Sequence, residues 1–121
     1  MIILPNQVCD FERKASEILA CAFDHSYDQS VGYWIDRCKK DTAQLWNIDE
    51  LWALSEVIDG KQKRVFHMIA AAGKYNELLI AEMENWAQSV GCQVAIFEGR
   101  KGWLKRLPSY RLKSVTLEKE L

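Results

Sequence analysis

An α/β fold of the α+β type, built on a mixed sheet, is predicted for this 121-residue chain by three observations. Apolar residues recur at helical spacing in the N-terminal part, at Phe11, Ala15, Ile18, Leu19 and Ala22 and again at Val31, Trp34, Ile35 and Cys38. The period then shortens to strand-like alternation over 42–48, 51–58 and 64–71, with a hairpin signal at Asp59-Gly60. A capped helix, 76–90, finally runs through Gly91 into the short apolar strand 93–97. The expected order is two N-terminal helices, a three-stranded antiparallel meander, a long helix, a parallel strand, a short helix and a final antiparallel strand, in one domain spanning 1–121.

Each element has a local cause. The first helix covers 9–23, with Asp10 and Glu12 near its positive end. Ser26 followed by Gln29 has the form of a capping box for the second. Past Lys39-Lys40-Asp41, branched and aromatic residues take over, and alternation puts Gln44, Trp46 and Ile48 on one strand face. Gly60 tolerates the positive φ of a hairpin turn, so strand 64–71 returns beside 51–58. In the long helix Leu79, Met83, Trp86, Ala87 and Val90 form a continuous apolar stripe. Asn76 caps its first turn, and Gly91 takes the left-handed conformation that ends it.

A strand, a helix and a second strand make a right-handed parallel crossover, so 64–71 and 93–97 should lie side by side. Free amides at the helix start then favour an anion near Ala71-Ala72-Gly73-Lys74-Tyr75-Asn76. A basic turn bearing Trp103 occupies 99–107, Pro108-Ser109-Tyr110 follows, and 112–118 closes the chain as a strand.

Composition narrows the class. With 49% hydrophobic and 27% charged residues this is an ordinary globular composition, and no apolar run nears the roughly 20 residues a membrane helix needs. Residues 1–4 are too short for a signal sequence, so the expected compartment is the cytoplasm, with no membrane partner. Cys9, Cys21, Cys38 and Cys92 are scattered without metal-ligand spacing, which predicts reduced, mostly buried thiols, no disulfide framework and no metal. The net charge is −1, yet Arg100, Lys101, Lys105, Arg106, Arg111 and Lys113 follow one another with no acidic residue between. That patch suits the phosphates of a cofactor or of a nucleic acid, and it equally suits a solvated face balanced by Glu82, Glu84 and Glu118. Trp34 and Trp86 lie on apolar stripes and read as core; Trp103 can pack on the final strand or stack on a base.

Candidate proton acceptors are Glu56 and His67 on the meander and Glu98 at the end of strand 93–97. A carboxylate in an apolar cleft has its pKa raised toward the range of a general base. Glu56 reads also as a solvent-facing strand residue, His67 as a structural histidine and Glu98 as a salt-bridge or capping group.

This order of elements resembles the GNAT superfamily of N-acetyltransferases over most of the chain. Gln44-Leu45-Trp46, Trp86-Ala87 with Gly91-Cys92, Glu98-Gly99-Arg100-Lys101-Gly102-Trp103, Leu107-Pro108 with Tyr110, and the terminal Leu117-Glu118-Lys119-Glu120-Leu121 look like small GNAT-like proteins of tailed bacteriophages and prophages. The resemblance implies acetyl-CoA bound in the V between strands 64–71 and 93–97, near Met68, Ala70, Gly73, Lys74, Tyr75 and Asn76. Gly73 matches the central glycine of the family's pyrophosphate loop, whereas Ala70 stands at its Gln/Arg position and Tyr75 at a small-residue position. The family's acid tyrosine falls at Leu104, beside Trp103, which leaves Tyr110 as the substitute or as a core anchor. Two functions follow from the resemblance: direct acetyl transfer to a small-molecule or protein amine, or a non-catalytic part of a virion or host-interaction module that meets phage structural proteins.

Overall fold

Strands β1 (Ile2–Ile3), β2 (Gln44–Ile48), β3 (Leu51–Asp59), β4 (Arg64–Ala72) and β5 (Val94–Phe97) form one sheet in that spatial order. The computed structural model describes residues 1–23, 30–98, 103, 105–113, 117, 119 and 120. The first three pairings are antiparallel, and β4 runs parallel to β5 with Val65 opposite Val94 and Met68 opposite Phe97. The expected meander and parallel crossover are both present. Strand β1 is an addition: residues 1–4 carry no strand pattern of their own, yet Ile2 faces Trp46 and Ile3 faces Leu45.

Helices α1 (Val8–Leu19) and α2 (Val31–Lys39) cover one face, where Val8, Ala15, Leu19, Trp34 and Ile35 pack on Leu45, Trp52 and Leu54. Helix α3 (Glu77–Ser89) covers the other with Leu79, Met83 and Ala87 against Trp46, Phe66 and Met68. Buried on both faces, β3 reads as a continuous apolar run, Leu51 to Leu54, ending in buried Ser55. Ser55 is satisfied: it accepts the Trp46 indole N–H at 2.9 Å and donates to Gln44 Oε1 at 2.8 Å. Trp46, Phe66 and Trp86 meet edge to face, with centroids 5.5–6.4 Å apart, and so bind α3 to the sheet.

The caps of α3 follow the sequence. Asn76 Oδ1 accepts from the Leu78 amide at 3.0 Å, and Gly91 sits at φ +87°. For α2 the cap is Ser30, whose Oγ accepts from the Tyr33 amide at 3.5 Å. The expected box at Ser26 and Gln29 lies outside the described residues. After α1 the chain tightens into a 3-10 turn, Ala20–Phe23, within the span expected to be one helix. Of the short helix, one turn is described, with Arg106 N–H donating to Trp103 O at 3.0 Å; residues 99–102 and Leu104 lie outside the described set. Of the closing strand, positions 112, 113 and 117 are irregular, and 114–116 and 118 are not described. Of the four cysteines only Cys38 is buried; Cys9 and Cys21 lie on exposed positions of α1 and its turn, against the expectation of mostly buried thiols.

Candidate functional site: a forked strand pair and a buried histidine

Strands β4 and β5 part company after Met68. Their ladder ends at the Met68–Phe97 pair and the Glu98 amide, which donates to Met68 O at 3.2 Å, while β4 continues to Ala72. A bulge accompanies the fork: Leu54 faces Ala70 and Ser55 faces Met68, so Ile69 is an extra residue in β4. Ile69 and Ala70 consequently both turn toward the α1/α2 side. Beyond the bulge the outer edge of β4 carries only Ala70, Ala71 and Ala72, and no strand pairs with it there among the described residues.

The edge leads to the start of α3. Gly73 has φ +107°, and a Cβ built on it would lie 1.9 Å from the Glu50 carbonyl oxygen. The β2–β3 turn therefore sits directly on Gly73, and glycine is required there whether or not a phosphate approaches. An open hollow of about 470 Å³ lies beside it, lined by Asp49, Glu50, Lys74, Tyr75 and Asn76. Its charge is two carboxylates against one ammonium. Asn76 Nδ2 lies 3.4 Å from Asp49 Oδ2, so a carboxylate already stands near the positive end of α3. Tyr75 leans away onto the basic turn: its hydroxyl donates to Arg106 O at 3.1 Å and the Arg106 guanidinium covers its ring at 4.9 Å. Trp103 packs 5.8 Å from Tyr75 and 5.0 Å from Phe97, centroid to centroid. These three rings join the fork's two sides on the α3 face. Of the basic patch, Lys105, Arg106, Arg111 and Lys113 are exposed, and Arg100 and Lys101 lie outside the described residues.

On the opposite face the three candidate proton acceptors converge. Glu56 on β3 is directly across from His67 on β4, and His67 Nδ1 lies 3.3 Å from Glu56 Oε2. The other ring nitrogen, Nε2, is buried and lies 3.0 Å from Glu98 Oε1, without the alignment of a hydrogen bond. The side chains of His67 and Glu56 are 15% and 17% exposed, that of Glu98 is 71% exposed. Behind Glu56 stands Arg37 of α2, with Nη1 3.0 Å from Glu56 Oε1. Arg37 is held in turn by Thr42, donating to its Oγ1 at 3.3 Å and its carbonyl at 2.6 Å, and lies over the Trp34 ring at 4.7 Å. The resulting chain, Arg37, Glu56, His67, Glu98, crosses from α2 to the end of β5 at the base of the fork.

Tyr110 is elsewhere. It packs on the α3 face and its hydroxyl donates to Glu84 Oε2 at 3.2 Å; burial, with the Glu84 carboxylate adding to it, pushes its pKa well up. The sheet separates it from His67. Met68 is fully buried on the α3 face, below the fork. Arg37 has no signal in the sequence as a site residue, because a cation in the last turn of a helix is what the helix dipole favours anyway. The Glu56–His67 pair did have one: in an antiparallel hairpin opposed residues have a constant number sum, and Asp59 opposite Arg64 fixes Glu56 opposite His67. Among the described residues no group of three His, Cys, Asp or Glu side chains can hold a metal, and no helix is long and apolar enough to cross a membrane.

This architecture is the GNAT fold. An aminoglycoside acetyltransferase from an uncultured soil metagenomic sample, crystallised with sisomicin, superposes with a TM-score of 0.65 at 13% identity over 100% of this chain and 94% of its own. An acetyltransferase of Trypanosoma brucei gives 0.63 at 10% identity, covering 100% and 97%. A GNAT family acetyltransferase of Staphylococcus aureus gives 0.61 at 13% identity, covering 100% and 96%. By sequence the chain matches no protein-family model and no curated protein. At such identities the likeness is one of fold.

Proposed function

We propose that the protein is an N-acetyltransferase that passes an acetyl group directly from acetyl-CoA to a small-molecule amine. The observation that carries this reading is the forked end of β4 and β5 with His67 at its base, held between two carboxylates. An open strand edge lined by alanines suits the amide arm of the cofactor, which can hydrogen-bond to it as another strand would. Lys74 and the amides of residues 74–76 would face its phosphates, and the cofactor supplies an acetyl group activated as a thioester. Met68 and Ala70 flank the fork, one below the bulge and one on it.

An amine reaches the site as an ammonium ion, and it must lose a proton to attack. Exposed Glu98 meets that cation first. His67 Nε2, which has no aligned partner, accepts the proton, while Glu56 holds Nδ1 and thereby fixes the ring.

A second reading is a non-catalytic phage or prophage GNAT-fold protein that meets virion or host partners; two observations support its non-catalytic part. The Phe97–Trp103–Tyr75 packing spans the fork on the α3 face, and Asp49 and Glu50 line the hollow where phosphates would lie. Thermal-shift and calorimetric titration with acetyl-CoA and CoA separate the two. An enzyme is stabilised by about 2.7 kcal/mol when ligand stands at 100 times Kd, and acetylates a panel of diamines and aminoglycosides. No stabilisation at millimolar ligand sinks the acetyltransferase reading and leaves the second.

A further inference from the structure

Four apolar side chains of the sheet, Ile58, Val65, Val94 and Ile96, pack against neither of its two buried clusters, whereas every other apolar residue of the five strands belongs to one cluster or packs on it. The register makes these four neighbours. Ile58 lies opposite Val65 and Val65 beside Val94, and the next row on the same face is Glu56, His67 and Ile96. Ile58 is 42% exposed and the other three are half-buried. A sheet face that meets water ordinarily carries polar side chains, and threonine would supply one with the branched shape a strand favours. This strip instead presents apolar surface beside a pair of carboxylates.

We propose that the strip binds the apolar body of the amine acceptor, which is a primary amine with a single alkyl or aryl arm rather than a polycation. The inference rests on the acetyltransferase reading for the transfer itself, but binding of the amine is tested without acetyl-CoA. Charge complementarity selects the occupant. At the fork end of the strip Glu56 and Glu98 converge on His67, and Glu56 already pairs with Arg37 at 3.0 Å. That leaves Glu98, 71% exposed, as the carboxylate open to one ammonium ion. At the other end Asp59 is paired with Arg64 at 3.1 Å, so it does not await a second ammonium. Three strands and one two-residue step give the strip about 10 Å by about 7 Å, room for a phenyl ring or a chain of about six carbons.

The experiment is an NMR titration of the methyl-labelled protein with hexylammonium chloride and no acetyl-CoA. The methyl signals of Ile58, Val65, Val94 and Ile96 should shift together, and hexanol and hexanoate should not reproduce the shifts at the same concentration. Full burial of a methylene is worth about fourfold in binding, so a one-sided floor should tighten Kd about twofold per carbon from propylamine to hexylamine. Ile58→Thr and Val65→Thr should each flatten that dependence. Glu98→Gln should weaken all the amines alike, by up to about fivefold, the reach of an exposed ion pair. In the enzyme, kcat/KM should rise about eightfold over the three added carbons, and spermidine and aminoglycosides should be used less efficiently than hexylamine. Unshifted methyl signals, or an affinity independent of chain length, overturn the proposal even if acetyl transfer proceeds. So do strip signals that move on dilution of the protein alone, which would mark contact between two copies of the chain. Chain-length-dependent binding without acetyl transfer would keep the strip as an amine site and remove only the acetyltransferase reading.

Discussion

Replacing Gly73 by alanine tests what that glycine is for. The new methyl would lie 1.9 Å from Glu50 O, 3.0 Å from Glu50 C and 3.3 Å from Leu51 Cα, on a backbone at φ +107°. Carbon prefers about 3.5 Å from a non-bonded heavy atom, so the β2–β3 turn would have to withdraw by roughly 1.5 Å. That turn is not free to move: Asn47 Nδ2 donates to Asp49 O at 3.1 Å and Leu51 O at 3.0 Å, and Leu51 is fully buried. Losing those two bonds costs about 0.5–1.5 kcal/mol each. A non-glycine residue at positive φ costs about 1–2 kcal/mol more. The sum, about 2–5 kcal/mol, is a large share of the roughly 6–18 kcal/mol expected for a chain of this length. Gly91→Ala is the control, since it also sits at positive φ, +87°, but its added methyl meets nothing closer than Arg64 Nη1 at 3.8 Å. It should lose only the conformational part, about 1–2 kcal/mol. Urea denaturation followed by circular dichroism, without ligand, reads both. Equal losses in the two variants would refute the carbonyl contact and return Gly73 to a role in ligand approach alone.

Ser55→Ala leaves the fully buried Trp46 indole N–H without its acceptor and should cost about 1–3 kcal/mol in the same denaturation assay. Alkaline pH should also destabilise the fold: burial pushes the Cys38 thiol from its ordinary 9.0 up to about 12. Since the unfolded thiol ionises first, stability is intact below pH 9.0 and falls by about 1.4 kcal/mol per unit until the folded thiol ionises near 12, with Tyr110 adding to the loss. Cys38→Ala should flatten that slope measurably. Asp49→Asn removes a carboxylate from the start of α3 and keeps a residue type that tolerates φ +48°. If acetyl-CoA binds there, calorimetry should find its Kd tightened about fivefold, worth near 1 kcal/mol.

The parts of this fold that were legible in the sequence are those whose causes are local. The meander shows in the change of period after Asp41, and α3 in Asn76, its stripe and Gly91, because caps and periodicity act within a few residues. Strand β1 was not legible, since two isoleucines carry no period and owe their strand form to pairing with β2, more than forty residues on. The α2 cap shows the limit of local signals, as Ser26 and Ser30 both have the right chemistry and Ser30 is the one adjoining Val31. At the site the same division holds. Glu56, His67 and Glu98 were each recognisable as candidate bases, but whether they act together depends on a hairpin register and on where β5 stops.

Two residues change meaning once their distant partners are known. Tyr75 stands where the resemblance implies a small residue, yet its ring turns to Arg106 and Trp103, and it lines the hollow beside Lys74, Asn76 and the acidic pair. Gly73 matched a phosphate-loop glycine, yet the Glu50 carbonyl occupies the space its side chain would need. A glycine demanded by the fold carries no information about a ligand. The groups that retain such information are those the fold does not require for itself: Lys74 on the rim, the alanine-lined edge of β4, and a buried imidazole nitrogen without an aligned partner. A buried nitrogen without an aligned partner does not by itself mark a site, since Trp52 Nε1 is another; what sets His67 apart is that two carboxylates, Glu56 and Glu98, converge on its ring.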